Sequence, residues 1–183
     1  YLYGIDKVRE SLEDDVVGKF LKDAIFNEIC TTLDLPEEEL SQFSADVLDR
    51  FRNPYLEHAL MSISLNSTSK YKTRVLPSVL EYIKRKNKNP EHLLFSLAAL
   101  IAFYRGERGE ERFTVKDDQS ALDFFATQWA KGDTASVVKA TLKNTAFWGT
   151  DLTQFEGLEE TVTNSLESII INGMKATLQA FVK

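Results

Sequence analysis

The side chains that could do chemistry gather between residues 50 and 77. This stretch reads Arg-Phe-Arg-Asn-Pro-Tyr-Leu-Glu-His and, further on, Ser-Leu-Asn-Ser-Thr-Ser-Lys-Tyr-Lys-Thr-Arg-Val-Leu-Pro. Residues 65–74 hold Ser67, Thr68, Ser69 and Thr73 together with the cations Lys70, Lys72 and Arg74, and Tyr71 is the one large apolar group after Leu65. Hydroxyl and ammonium groups at this density need hydrogen-bond partners and cannot make an apolar core. The segment therefore lies on the surface or lines a polar cavity. Pro54 lacks an amide proton and pushes Asn53 out of helical geometry, so a helix should end there.

Other chemistries have little to work with. His58 and His92 are the two histidines, and neither has a second histidine or a cysteine at ligand spacing, so no metal site is expected. There is no serine in a Gly-x-Ser-x-Gly elbow, no Gly-x-Gly-x-x-Gly turn and no phosphate loop. The acidic clusters Asp14-Asp15 and Glu37-Glu38-Glu39 stand where helices begin, and there they complement the backbone dipole rather than form an acid–base pair. Cys30, the single cysteine, excludes an internal disulfide and fits a reducing, cytoplasmic compartment; its neighbours Ile25, Phe26 and Ile29 suggest a buried, inert thiol.

The elements that must position these residues read as helices throughout. Val16, Val17, Phe20, Leu21, Ala24, Ile25, Ile29 and Leu33 recur at three- and four-residue steps after Asp14 and Asp15, predicting a helix of about five turns. Asp34 and Pro36 open a second helix that should turn Leu40, Phe43, Val47, Leu48 and Phe51 inward. A third should begin near Pro77 and bury Val79, Leu80 and Ile83. Residues 93–104 are apolar on nearly every side, which places that helix at the centre. Residues 106–111, with two glycines, read as a flexible loop. Leu122, Phe125 and Trp129 mark a helix closed by Gly132, and Asp133 or Thr134 caps the next. Residues 158–181 predict one long C-terminal helix with Gly173 inside it, at a cost of about 1 kcal/mol relative to alanine. The fold class is all-α, one multi-helical domain.

Bulk properties narrow the partners. The 183 residues are 43% hydrophobic, enough for one substantial core, and the formal charge of -6 speaks against a nucleic-acid partner. The basic run Lys84, Arg85, Lys86 and Lys88 reads as a solvated helix end. No apolar run approaches the roughly 20 residues of a membrane span. The chain does not open with methionine, and a fragment or processed product is expected.

The specific motif is Arg50-Phe51-x-Asn53-Pro54 followed by Ser69-Lys70-x-x-x-Arg74-x-x-Pro77, with Tyr3-Gly4-Ile5-Asp6-Lys7-Val8 at the start. It resembles the C-terminal domain of the mannitol dehydrogenase family, the polyol-specific long-chain dehydrogenases. Within that family, residues 64–70 and 74–78 look most like the tagaturonate reductases, also called altronate oxidoreductases. The resemblance spans the chain in helix order, and residues 50–78 carry it most specifically.

That resemblance implies a metal-independent, NAD-dependent enzyme of two domains. A Rossmann-like domain would hold the cofactor, and this helical domain, residues 1–183, would form the other wall of a substrate cleft. The family's Lys-x-x-x-x-Asn-x-x-His catalytic pattern is not in this chain and would precede Tyr1, so the chain alone is expected to be inactive. Its implied partners are a sugar-acid substrate and the cofactor domain of the same protein. A surface left open around Tyr1, Leu2 and Tyr3 could also support a dimer.

Lys70 matches a family lysine that reaches into the sugar cleft, where an ammonium donates to hydroxyls or pairs with a carboxylate. A solvated surface lysine is the competing reading. Ser62 stands where mannitol dehydrogenases carry an arginine, and His58 where many relatives have an aspartate; both departures fit a pocket rebuilt for a uronate. His58 could equally be a helix-end histidine. Asn66, Ser67 and Ser69 are weaker candidates for sugar contacts, with capping or turn formation as alternatives. Arg50, Asn53, Arg74 and Pro77 are assigned to structure. A polyol or fructuronate substrate, and a non-enzymatic helical interaction module, remain the alternatives. The module should show an apolar groove, and the enzyme a polar hollow joining Lys70, His58 and Asn66.

Overall fold

The computed structural model describes residues 1–53, 55 and 58–183. Helix α7 (Glu91–Phe103) runs through the centre, with Leu94, Ala98 and Ile101 fully buried. Its sequence has almost no polar face because, past Glu91, none of its residues is exposed. Helix α11 (Leu158–Asn172) lies along it and buries Leu158, Val162, Leu166 and Ile169 at three- and four-residue steps. Helix α9 (Thr134–Lys143) closes the same core with Val137, Val138 and Leu142. Its cap is Asp133, whose carboxylate accepts from the Ala135 and Ser136 amides. Helix α8 (Gln119–Trp129) contributes Phe125, stacked on Tyr104 with ring centroids 4.1 Å apart.

Before the core come the short helix α1 (Val8–Glu13) and α2 (Asp15–Asp23). Asp14 caps α2, its Oδ1 accepting from the Val16 and Val17 amides at 3.0 and 2.9 Å. The predicted five-turn helix is present but irregular: the chain stays helical through a widened π-type stretch, Ala24–Ile29, and a 3-10 turn, Cys30–Thr32. This stretch carries Glu28 inward. Its carboxylate accepts from the His92 and Leu93 amides at 2.8 and 2.9 Å and lies 2.8 Å from His92 Nδ1. It thereby satisfies amides at the start of α7, where the capping residue, Pro90, has no side-chain acceptor. Cys30 is half-buried, with Sγ 3.4 Å from Ser44 Oγ.

Three expectations need correction. Helix α3 (Glu37–Phe51) buries Leu40 and Leu48, but Phe43 and Phe51 are 64% and 45% exposed. The helix packs mainly on α1 and the widened stretch after α2, and the side that carries Phe43 and Phe51 is left exposed. Residues 106–111 are not a loose loop. Strand β1 (Glu107–Arg108) pairs antiparallel with β2 (Glu111–Arg112), and Arg108 reaches Asp6 at 2.6 Å and stacks 4.1 Å over the Tyr1 ring. The C-terminal helix is two helices, α11 and α12 (Met174–Phe181), divided at Gly173. With φ 80° and ψ 156°, Gly173 occupies backbone space essentially closed to other residues, so it breaks the helix instead of weakening it. Tyr1, Leu2 and Tyr3 are half-buried, packed against the core on one side and lining an open apolar groove on the other.

Pro54 lies outside the described residues, although α3 does end shortly before it. The basic run is an exposed helix end as expected: α6 (Leu76–Lys86) finishes there, and Arg85 bridges Glu81 and Asp34 at 2.6 and 2.9 Å. Among the described residues no helix is long and apolar enough to cross a membrane.

Candidate functional site

The chain between α3 and α6 is built from short, irregular pieces. Helix α4 (Leu60–Ile63) is a single turn, tied to the chain start because Leu60 N donates to Asp6 O and Val8 N to His58 O. Asn66 then adopts the left-handed conformation at φ 53°, which asparagine tolerates better than most residues. Helix α5 (Ser67–Lys70) follows and widens into a π-type stretch, Tyr71–Val75, before α6. Leu76 N reaches back five residues to Tyr71 O, and Pro77, near the start of α6, offers no amide proton to the Thr73 carbonyl.

Long-range hydrogen bonds hold this segment in place. Thr68 Oγ1 donates to Asp117 Oδ2 at 3.0 Å, and Thr68 N points to the same oxygen at 3.3 Å and to the Tyr104 hydroxyl at 3.2 Å. Tyr104 in turn donates to Asp117, and Asn66 N donates to Lys116 O at 3.2 Å. Burial, and then the bond to Asp117, push the Tyr104 phenol far above its usual range, so it remains a proton donor. Tyr71 anchors the next turn by donating to Leu93 O at 2.8 Å, with burial raising its phenol likewise.

This arrangement presents one edge of α5 and the π stretch to a groove of about 520 Å³. The chain start, α2, α4, α7 and α12 form the rest of its wall. Most of the lining is apolar, including Tyr3, Phe20, Leu100 and Leu178. Ser67, Lys70 and Arg74 supply its polar edge, at the three- and four-residue steps that share one helical face. Lys70 Nζ donates to Ile63 O at 2.9 Å, which leaves two of its three protons for another acceptor. Among the described residues no aspartate or glutamate lines the groove, in a chain whose net charge is -6.

Of the residues singled out from sequence, Lys70 lines this groove next to Tyr1, Leu2 and Tyr3; His58, Ser62 and Asn66 do not. These three are exposed on the flank, with the Ser62 hydroxyl donating to Ala59 O at 2.7 Å. Ser67 lines the groove, whereas Ser69 is exposed outside its lining. Sequence reasoning missed two features. Arg74, assigned to structure, lines the groove and makes no ion pair with a described residue; its four-residue offset from Lys70 was the available signal. Asp117 and Tyr104 had no such signal, since 49 and 36 residues separate them from Thr68. Among the described residues no group of three His, Cys, Asp or Glu side chains could hold a metal ion. They also form no dinucleotide site: the sheet is a two-stranded hairpin, and no glycine-rich turn opens a helix.

Comparison with known proteins accords with this architecture. The family profile described as "Mannitol dehydrogenase C-terminal domain" matches residues 1–170. The altronate oxidoreductase of Yersinia enterocolitica is 44% identical over 186 residues, covering 99% of this chain and 38% of that protein. That of an Enterobacter species is 46% identical over 181 residues, covering 96% and 38%. Among solved structures, Pseudomonas fluorescens mannitol 2-dehydrogenase, in a ternary complex with NAD and D-mannitol, superposes with a TM-score of 0.87 at 18% identity. That match covers 99% of this chain and 36% of the other. Substrate-free D-sorbitol dehydrogenase gives 0.78 at 20%, covering 97% and 36%. At these identities the structural likeness speaks to the fold alone. The chain thus spans well under half the length of the relatives it matches, and it belongs to the mannitol dehydrogenase family as a C-terminal domain of that family.

Proposed function

We propose that this chain is the substrate-side domain of a longer NAD-dependent oxidoreductase that interconverts tagaturonate and altronate. The observation that carries the reading is the groove beside the chain start, whose charged groups among the described residues are the cations Lys70 and Arg74, with no lining carboxylate among them. An acidic sugar derivative is the small molecule such a lining favours. The altronate oxidoreductases that match nearly the whole chain supply the substrate class.

In this reading NAD supplies the hydride acceptor or donor and is held by the rest of the protein. Lys70 donates its free protons to the substrate carboxylate or an adjacent hydroxyl. The apolar wall excludes water and so strengthens that contact. His58, Asn66 and Ser62, exposed on the flank, reach the sugar only when the remainder of the protein covers the groove. Fructuronate, or mannitol and fructose, would be alternative substrates of the same machinery, and the fold likeness to mannitol 2-dehydrogenase favours keeping them in the test. The predominantly apolar lining favours a different reading, a docking surface without chemistry.

The experiment is NADH oxidation by the full-length protein with tagaturonate, fructuronate and fructose, repeated with Lys70→Met. Turnover of tagaturonate with a KM raised about tenfold or more in the variant is expected. Activity on fructose alone moves the assignment to a polyol. No turnover of any of the three favours the docking surface, and an unchanged KM removes Lys70 from the site.

A further inference from the structure

Arg74 is placed unlike most arginines of this domain. Arg9, Arg52, Arg85, Arg105, Arg108 and Arg112 each hold a carboxylate oxygen within 3.5 Å. Arg74 holds none among the described residues, although the chain carries 28 acidic side chains against 22 basic ones, so that carboxylates are in excess. It stands four residues after Lys70, is exposed at the edge of the same groove, and meets no acidic lining group among the described residues. A guanidinium that no described carboxylate occupies, on a groove without a described acidic lining group, is open to an anion from solution. Its planar fork matches the two oxygens of a carboxylate, which a single ammonium cannot do. The π-type stretch Tyr71–Val75 is anchored below by the buried Tyr71 hydroxyl, so the backbone that carries Arg74 is held by the core.

We infer that Arg74 is the specificity-determining residue of the site: it grips the substrate's carboxylate as a fork, and Lys70 supplies the second point of contact. This rests on the proposed uronate reading and deepens it. A neutral polyol of the same chain length would gain nothing from Arg74, so discrimination between acid and polyol would reside in this one side chain.

The test uses the full-length enzyme and its Arg74→Met and Arg74→Lys variants. It measures tagaturonate kinetics, and calorimetric binding of altronate and of altritol, which has a hydroxymethyl group in place of the carboxylate. Arg74→Met is expected to raise the tagaturonate KM and weaken altronate about 30-fold, with kcat within about threefold and altritol binding unchanged. Arg74→Lys should recover part of the loss, because it restores charge but not the fork. A change in altronate affinity below about threefold, an equal loss for altritol, or a fall in kcat at constant KM would each overturn the proposal. If Lys70→Met weakens altronate and Arg74→Met does not, this inference fails while the uronate reading stands. If the parent enzyme neither reduces tagaturonate nor binds altronate, both fail together.

Discussion

Helices α7 and α11 and the segment 60–75 are both helical, yet they spend their hydrogen bonds and side chains differently. In the α7–α11 pair, regular ladders carry buried aliphatic groups, and Glu28 satisfies amides at the buried start of α7. In the segment, one left-handed residue, two single-turn helices and a π-type stretch leave an irregular backbone, pinned from outside by Asp117, Tyr104 and Lys116. Regularity maximises burial, whereas irregularity aims chosen side chains at a groove. Stability should therefore be concentrated in the first region and ligand recognition in the second.

The largest expected effect tests the stable half. Ile101→Ala removes a fully buried side chain from the centre of α7 and should cost about 3–4 kcal/mol in urea unfolding. Altronate affinity of the protein that remains folded should be unchanged; a selective loss of affinity would mean that the two regions are not separable.

Asp117→Ala should blur the division. It leaves the Thr68 hydroxyl and the Tyr104 phenol without their acceptor, at a cost of about 2 kcal/mol. Because Thr68 is two residues before Lys70, altronate affinity should fall as well, and an effect on stability alone would show that the clamp does not orient the site. Gly173→Ala should cost about 1–3 kcal/mol, since alanine cannot readily hold φ 80° with ψ 156°. Thermal melts would read it, and a neutral result would show that α11 can continue into α12 after all.

The smallest effect is an acid limb that belongs to the stable half. A hydrogen bond from the Ser136 hydroxyl holds the Asp133 carboxyl below its usual range, and one from the Thr153 hydroxyl does the same for Asp151. Folded values below the unfolded ones mean that this stabilisation is present above the unfolded pKa and is lost as pH falls through the folded one. Tm should be level from pH 7 to about 5 and decline below about 4. Asp133→Asn, which keeps a capping oxygen without the charge, should shrink the decline.

Much of this was legible in the residues. The all-apolar run 93–104 located the central helix, Asp14 and Asp133 marked helix starts, and the Ser69-Lys70-x-x-x-Arg74-x-x-Pro77 motif pointed to the family before any coordinates did. These signals are local: a period, a cap or a motif is complete within a few turns of chain. Where the reading failed, the deciding neighbour lay far along the sequence. Phe43 and Phe51 have inward-facing spacing but stay exposed, and residues 107–112 look loose until Asp6 and Tyr1 are brought beside Arg108.

The chain alone thus determined helix content and the central element, because both follow from local backbone preference and side-chain polarity, while the family resemblance supplied the lysine to examine. Only the tertiary structure decided that Lys70 and Arg74 share a groove without acidic lining among the described residues while His58, Ser62 and Asn66 stand outside it. That choice depends on how the chain start, α2, α4, α7 and α12 pack around one short edge. Packing between distant segments is set by the fit of whole surfaces, which no local pattern records.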